Sequence, residues 1–139
     1  MRNENLNLPK ILGLILVIVL VLPACSGVSN DLLAGTQWKV MTLDGRSVLE
    51  GSVLTMEFKD SGISGNAGCN AYGASYTIVG KKIRIKSAIM TLMACQDPGV
   101  MEQEQRFMAL LNQVASIQAG DKEMKLMNDQ GETLILLAR

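Results

Sequence analysis

The chain has 139 residues, with 13 basic and 13 acidic side chains, no histidine, and a formal net charge of zero. This balance gives no support to binding of nucleic acid or of other polyanions, which need a basic surface. Without histidine, imidazole zinc sites, Ser/His/Asp triads and Cys/His nucleophiles are excluded within this chain.

Residues 1–24 are predicted to be a secretion signal. Basic residues Arg2 and Lys10 lie before an apolar run over residues 11–22. A helix rises ~1.5 Å per residue, so this run falls short of the ~30 Å hydrocarbon core of a bilayer. The run therefore indicates a signal peptide, with an uncleaved signal anchor as the alternative.

The end of this run, Leu22-Pro23-Ala24-Cys25, resembles the lipobox of bacterial lipoproteins. The resemblance implies that Cys25 becomes the lipid-modified first residue and that residues 25–31 form a short tether. Ser26, rather than an aspartate, follows the cysteine. By similarity to the sorting of Gram-negative lipoproteins, this implies the periplasmic face of the outer membrane. Without Arg2, Lys10 and Glu4 of the leader, 11 basic and 12 acidic residues remain, which is again near neutral.

Residues 32–139 are predicted to form one β-rich domain. In the clearest strand, Leu54, Met56 and Phe58 alternate with polar side chains, which is typical of a half-buried strand. Strands are predicted over residues 36–43, 53–59, 72–79, 82–86, 116–119, 122–127 and 132–137. The expected fold class is mainly β: a small antiparallel β-barrel or half-barrel of about 7–8 strands with one helix packed against it.

That helix is predicted over residues 98–114. Val100, Glu104, Phe107 and Leu111 follow a helical spacing, and Glu104 is the polar exception among them. From residue type, Glu104 is assigned, together with the neighbouring charged positions of the helix, to the solvated face.

A glycine-rich stretch, Gly65-Asn66-Ala67-Gly68-Cys69-Asn70-Ala71-Tyr72, is predicted to be a shaped loop or bulged turn. Glycine and asparagine both tolerate a positive φ, and the side chain of Asn70 can also bond nearby backbone groups. One hypothesis makes Asn66, Gly68, Asn70 and Tyr72 a ligand-facing loop, with Tyr72 or Tyr76 exposed. The other makes the stretch a corner of the barrel, with Cys69 buried or bridged.

Together with Thr91-Leu92-Met93-Ala94-Cys95, Trp38 and the helix from Glu104, the Gly68-Cys69-Asn70 motif resembles the META domain family, which includes bacterial heat-shock lipoproteins. The resemblance covers the whole mature domain. It implies a β-rich fold with one helix, no established enzymatic activity, no catalytic residues and a link to envelope stress or antibiotic tolerance. We therefore expect a non-enzymatic, monomeric binding or structural module that uses no cofactor and contacts an envelope protein or another envelope component.

The two cysteines other than Cys25 leave three alternatives open. Disulfides persist outside the cytoplasmic membrane, so Cys69 and Cys95 are candidates for a bridge. Two buried, unpaired thiols are a second possibility. The third is a soft-metal site for Cu(I), in which Met90 and Met93 supply thioether sulfur beside the two thiolates.

Overall fold

Nine strands and one long helix dominate this computed structural model, which describes residues 30–139. The strands are β1 Gln37–Leu43, β2 Arg46–Ser47, β3 Val53–Phe58, β4 Gly62–Gly68, β5 Ala71–Val79, β6 Lys82–Met90, β7 Ser116–Ala119, β8 Glu123–Met127 and β9 Thr133–Ala138. The helices are α1 Asn30–Leu33 and α2 Val100–Leu111. The predicted signal peptide, Cys25 and residues 26–29 of the predicted tether lie outside the described residues.

The strands form one antiparallel sheet whose two ends meet. Each strand from β3 to β8 pairs with the next, β1 pairs with β3, and β1 also pairs with β9, so the sheet is ring-like. The short β2 pairs only with the end of β1. This confirms the predicted β-rich half-barrel with one packed helix, although the sheet has nine strands.

One of the additional strands is β4, which was predicted as a loop or bulged turn. It pairs with β3 on one side and with β5 on the other. Ile63 and Ala67 of this strand are buried, and Gly65 lies between them on the same face. The prediction was wrong because Gly65 has no side chain, which hides the two-residue alternation that marks a strand.

Alternation in the other strands builds the core. Leu54, Met56 and Phe58 of β3 are completely buried, as their spacing predicts. Aromatic rings extend the contact to β5, where Tyr76 lies edge-on to Phe58 with ring centroids 5.4 Å apart.

Helix α2 packs against the sheet, and its buried side chains belong to the same core. It begins after Gly99, whose φ of 80° is left-handed, and ends at Leu111, inside the predicted range. Phe107 is completely buried, and its ring lies 4.9 Å from that of Tyr72 on β5. Among the described residues, no helix has the length and apolar character needed to span a membrane.

Candidate functional site

A disulfide joins two loops at the end of the sheet where α2 begins. Cys69 lies in the turn between β4 and β5, and Cys95 lies in the segment between β6 and α2. Their Cα atoms are 6.2 Å apart and their sulfur atoms are bonded. The structure therefore contains the bridge that was the first of the three cysteine alternatives.

Asn70, the residue after Cys69, is buried and uses its entire side-chain hydrogen-bonding capacity. Its Nδ2 donates to Oε2 of Glu104 at 2.8 Å and to the carbonyl oxygen of Met93 at 3.2 Å. Its Oδ1 accepts from the hydroxyl of Thr91 and from the backbone N–H of Met93, both at 2.8 Å. Asn70 therefore fixes both backbone groups of Met93.

Glu104 is the buried anion to which this turn is attached. Only 1% of the residue is exposed. Its Oε1 accepts the backbone N–H groups of Cys69 and Asn70 at 2.8 and 2.5 Å. Burial raises the pKa of Glu104, but the hydrogen bonds from Asn70 and Cys69 outweigh it and hold the pKa below its usual range. The side chain is therefore ionised at neutral pH.

The assignment of Glu104 to the solvated face was wrong. Its helical spacing with Val100, Phe107 and Leu111 already placed it on the buried face, and the structure follows the spacing rather than the residue type. The neighbouring Gln103, which the sequence analysis missed, is also buried. Gln103 accepts the N–H of Leu49 at 2.7 Å and donates to the hydroxyl of Ser52 at 2.9 Å.

Both tyrosines predicted to be exposed are buried. Tyr72 and Tyr76 are four residues apart in β5 and therefore share its inward face. The Tyr72 hydroxyl donates to the carbonyl oxygen of Thr55, and the Tyr76 hydroxyl donates to that of Lys59, both at 2.9 Å. Burial raises the pKa of both phenols, and for Tyr76 the nearby charge of Asp60 raises it further.

The remaining loop candidates have structural contacts. Asn66 is exposed, and its Oδ1 accepts the N–H of Gly68 at 2.6 Å. Gly68 has a φ of 132°, which strongly favours glycine. Asn70 is not among the described residues with positive φ, so it occurs here for its side chain and not for the left-handed backbone that was predicted.

Gly65 has a requirement that its sequence context did not reveal. A Cβ at this position would lie 2.1 Å from the carbonyl oxygen of Thr55. That oxygen is the acceptor for the Tyr72 hydroxyl. Close approach of the two strands therefore needs glycine here.

The sulfur atoms of Cys69 and Cys95 and the carboxylate of Glu104 form one compact cluster. Sγ of Cys69, Sγ of Cys95 and a carboxylate oxygen of Glu104 all lie within 4.8 Å of one another. The two sulfur atoms are bonded to each other, so neither is a thiolate in this state. Of the other proposed copper ligands, Met90 is partly buried against the core and Met93 is 56% exposed. The copper hypothesis thus requires reduction of the bridge first.

An apolar segment projects from this fixed region. Leu92 is 94% exposed and Met93 is 56% exposed. Ile89, at the end of β6, is also exposed. The backbone of Met93 is held by Asn70, so these apolar side chains lie on a positioned segment.

One comparison with known protein families covers almost all of the residues that the structure describes. The family model of the META domain matches residues 31–139. The chain belongs to the META domain family. The family assignment made from the two cysteine motifs is thereby confirmed.

Solved structures resemble this META domain. A protein from Burkholderia xenovorans, solved by NMR, is 26% identical with a TM-score of 0.62, covering 79% of this chain and 85% of its own. A second NMR structure is 20% identical with a TM-score of 0.62, covering 78% of this chain and 93% of its own. The crystal structure of a duf4847 family protein from Bacteroides vulgatus is 13% identical with a TM-score of 0.55, covering 78% of this chain and 95% of its own. The last two similarities show the fold alone. No curated protein matches the chain.

Proposed function

We propose that this META domain protein is a non-enzymatic bacterial envelope lipoprotein that works as a binding module. Lipid on Cys25 would anchor it to the periplasmic face of the outer membrane, where it contributes to stress or antibiotic tolerance. The leader and the Leu22–Cys25 motif support the anchor. Acyl chains contribute ~0.8 kcal/mol per buried methylene, which is enough for stable attachment when several are present.

The observation that carries the binding role is the fixed, exposed apolar segment. Leu92 is almost fully exposed, yet the next residue, Met93, has both backbone groups bonded to buried Asn70. Exposed apolar groups on a rigid backbone favour protein contact, because little conformational entropy is lost on binding. We assign the contact with an envelope protein to Leu92 and Met93.

The non-enzymatic role is supported by how the polar cluster is used. Both oxygens of Glu104 accept hydrogen bonds from the turn, and the side-chain capacity of Asn70 is fully used. A carboxylate held ionised by such donors is a poor proton acceptor, since its pKa is low. The cluster is therefore suited to fixing the turn.

The binding role is tested by photo-crosslinking in growing cells. A photoreactive side chain at position 92 should give a defined cross-linked partner, and the same group at exposed Leu32 is the matched control. Leu92→Ser with Met93→Ser should remove the partner and reduce growth under heat or antibiotic, whereas Leu32→Ser should not. Equal cross-linking at positions 92 and 32, or full tolerance in the double variant, would refute the assignment.

The anchor has its own test. Wild-type protein should incorporate radiolabelled palmitate in growing cells, and Cys25→Ser should abolish this incorporation. Equal incorporation by the variant, or none by the wild type, would refute lipid attachment at Cys25 while leaving the contact at Leu92 open to its separate test.

A second candidate is a soft-metal or thiol-redox protein. It is favoured by the closeness of the two cysteine sulfurs to Glu104. A dithiol reductant would supply two electrons and two protons to break the Cys69–Cys95 bond, and the freed thiolates, with Met90 and Met93, would bind Cu(I). After treatment with dithiothreitol, this candidate predicts one Cu(I) per chain. A bridge that resists reduction under native conditions would refute it.

A further inference from the structure

Strand β6 has one edge that is almost unpaired. Along its other edge it pairs with β5 from Lys82 to Met90. With β7 it shares only the pair Lys82 and Ser116, flanked by backbone bonds at Lys81 and Ile83. Within residues 30–139, the edge of β6 beyond Ile83 has no other strand beside it.

The direction of the backbone groups follows from the antiparallel alternation. The N–H of Tyr76 donates to Ser61 on the β4 side, so its partner Ile85 directs its N–H and C=O away from β5. A bulge with Ser87 at a φ of 54° follows. Lys86, Ser87 and Ile89 are all exposed, so solvent reaches the edge after Ile85, whereas Ile85 itself has its side chain in the core and is 5% exposed.

A groove of about 1140 Å³ lies where β6 and β7 separate. Lys82 and Arg84 line one side of it, and Asp129 contributes the single acidic group of its lining. The rest of the lining is mixed: the side-chain amides of Asn112, Gln113, Asn128 and Gln130 lie beside apolar groups that include Val79, Ile83 and Val114. A mixed lining suits an extended chain in which polar and apolar side chains alternate.

The charged side chains of β6 itself are all positive, although Asp129 lines the same groove as Lys82 and Arg84. Between Asp60 and Asp97 the sequence has no acidic residue. Lys82, Arg84 and Lys86 occupy alternate positions of β6, and all three are exposed on its outer face. The near-zero net charge of the chain therefore conceals a local row of cations.

We propose that the free edge of β6 binds an extended acidic segment of a partner protein by β-strand addition. The backbone of the segment pairs with Ile85 and with the positions after the bulge, and acidic side chains at every second position lie beside Arg84 and Lys86. Pairing with a second copy of β6 is disfavoured, because it would place cations against cations. Lysines on edge strands commonly prevent such pairing between copies. An acidic partner reverses that repulsion. The inference rests on the proposed binding role, but it uses a surface other than Leu92 and Met93.

The test uses a fluorescein-labelled octapeptide of alternating Glu and Val with the purified full chain. We expect saturable binding that weakens as salt is raised. Arg84→Glu with Lys86→Glu should weaken binding roughly tenfold, since two exposed ion pairs become repulsive contacts. The matched control reverses two exposed cations elsewhere, Lys39→Glu with Lys122→Glu, and should leave binding within about twofold.

Two further probes separate strand addition from simple charge attraction. The same peptide with an N-methyl group on every residue has no backbone N–H donor on either edge and should not bind. In the complex with the unmodified peptide, hydrogen exchange of the Ile85 amide should slow at least tenfold. Equal binding by the N-methylated peptide, or by a Lys-Val peptide, would overturn the proposal.

Other occupants of the edge give distinct results. One result would overturn strand addition in favour of a lipid surface: the Glu-Val peptide does not bind, but phosphatidylglycerol vesicles retain the chain through Arg84 and Lys86. Absence of peptide binding while the cross-link at position 92 persists would overturn this inference and leave the proposed binding role intact.

Discussion

Replacing Glu104 by glutamine tests the claim that a buried anion fixes the Cys69–Asn70 turn. The change keeps the shape of the side chain and one acceptor oxygen. It turns two charge-assisted bonds into neutral ones and places an amide N–H₂ opposite Nδ2 of Asn70, which now donates at 2.8 Å to Oε2. Hydrogen bonds to charged groups contribute roughly 1.5–3 kcal/mol each, and neutral ones ~1 kcal/mol. Allowing for relief of the buried charge, we expect the free energy of unfolding to fall by about 2–4 kcal/mol at pH 7.

The same reasoning sets the pH dependence. The pKa of Glu104 is lower in the folded chain than in the unfolded chain, so its ionised form stabilises the fold above the unfolded pKa of about 4.3. This contribution is lost as the pH falls through the lower pKa of the folded state. The Glu104→Gln variant has no such group to protonate. The difference in stability between the two proteins should therefore be largest at neutral pH and should narrow in acid.

Urea denaturation followed by fluorescence of Trp38 measures both effects. Trp38 is the single tryptophan of the chain and is 4% exposed, so it reports directly on opening of the core. Glu102→Gln makes the same chemical change at an exposed position two residues away and is the control. A Glu104→Gln variant within about 0.5 kcal/mol of wild type at pH 7, the range of ordinary surface changes, would refute the reasoning. So would a stability difference that does not narrow in acid.

Three further changes test the same end of the molecule by urea denaturation. Asn70→Asp would put a second carboxylate beside the buried one, and we expect a larger loss at pH 7 than with Asn70→Ala; the reverse order would contradict the buried-anion assignment. Cys69→Ala with Cys95→Ala opens a cross-link between residues 26 positions apart and should cost about 3.5 kcal/mol in the chain-entropy model; an unchanged midpoint would show that the bridge adds no stability. Gly65→Ala should cost roughly 1–3 kcal/mol through overpacking, whereas Gly73→Ala, whose added Cβ meets its nearest atom at 3.8 Å, is the control; equal effects would contradict the close approach.

The fold was predictable where side chains alternate without interruption. β3 runs from Val53 to Phe58, one residue short of the predicted strand, because its apolar residues mark the inward face directly. β4 was not predicted, since its glycines carry no side chain to show an alternation. The two-residue β2 was also missed, because it depends on pairing with β1 rather than on a pattern of its own.

The site was predictable only in part. The sequence indicated Cys69 and Cys95 as a pair and singled out Asn70 for a left-handed backbone and for side-chain bonds to nearby backbone groups; the first reason was wrong, and the side-chain bonds are made to distant residues. The partners of the Asn70 side chain, Met93 and Glu104, are 23 and 34 residues away along the chain. Such contacts exist only once β5, β6 and α2 have packed, so no local pattern contains them. The assignment of Glu104 failed because residue type was given more weight than helical spacing.

Closely spaced side chains of α2 explain why this end of the sheet is a suitable place for a contact surface. Gln103 bonds the segment from Leu49 to Ser52, Glu104 bonds the Cys69–Asn70 turn, and Arg106 bonds Asp44 at 2.6 Å in the turn after β1. One helix thus holds three separate connections of the sheet, and the disulfide adds the segment after β6 to the same assembly. Polar groups with defined partners specify one arrangement, which apolar packing alone does less strictly. Exposed Leu92 therefore lies on a segment that is held in place through polar side chains of α2, although residue type alone assigned Glu104 and its charged neighbours to the solvated face.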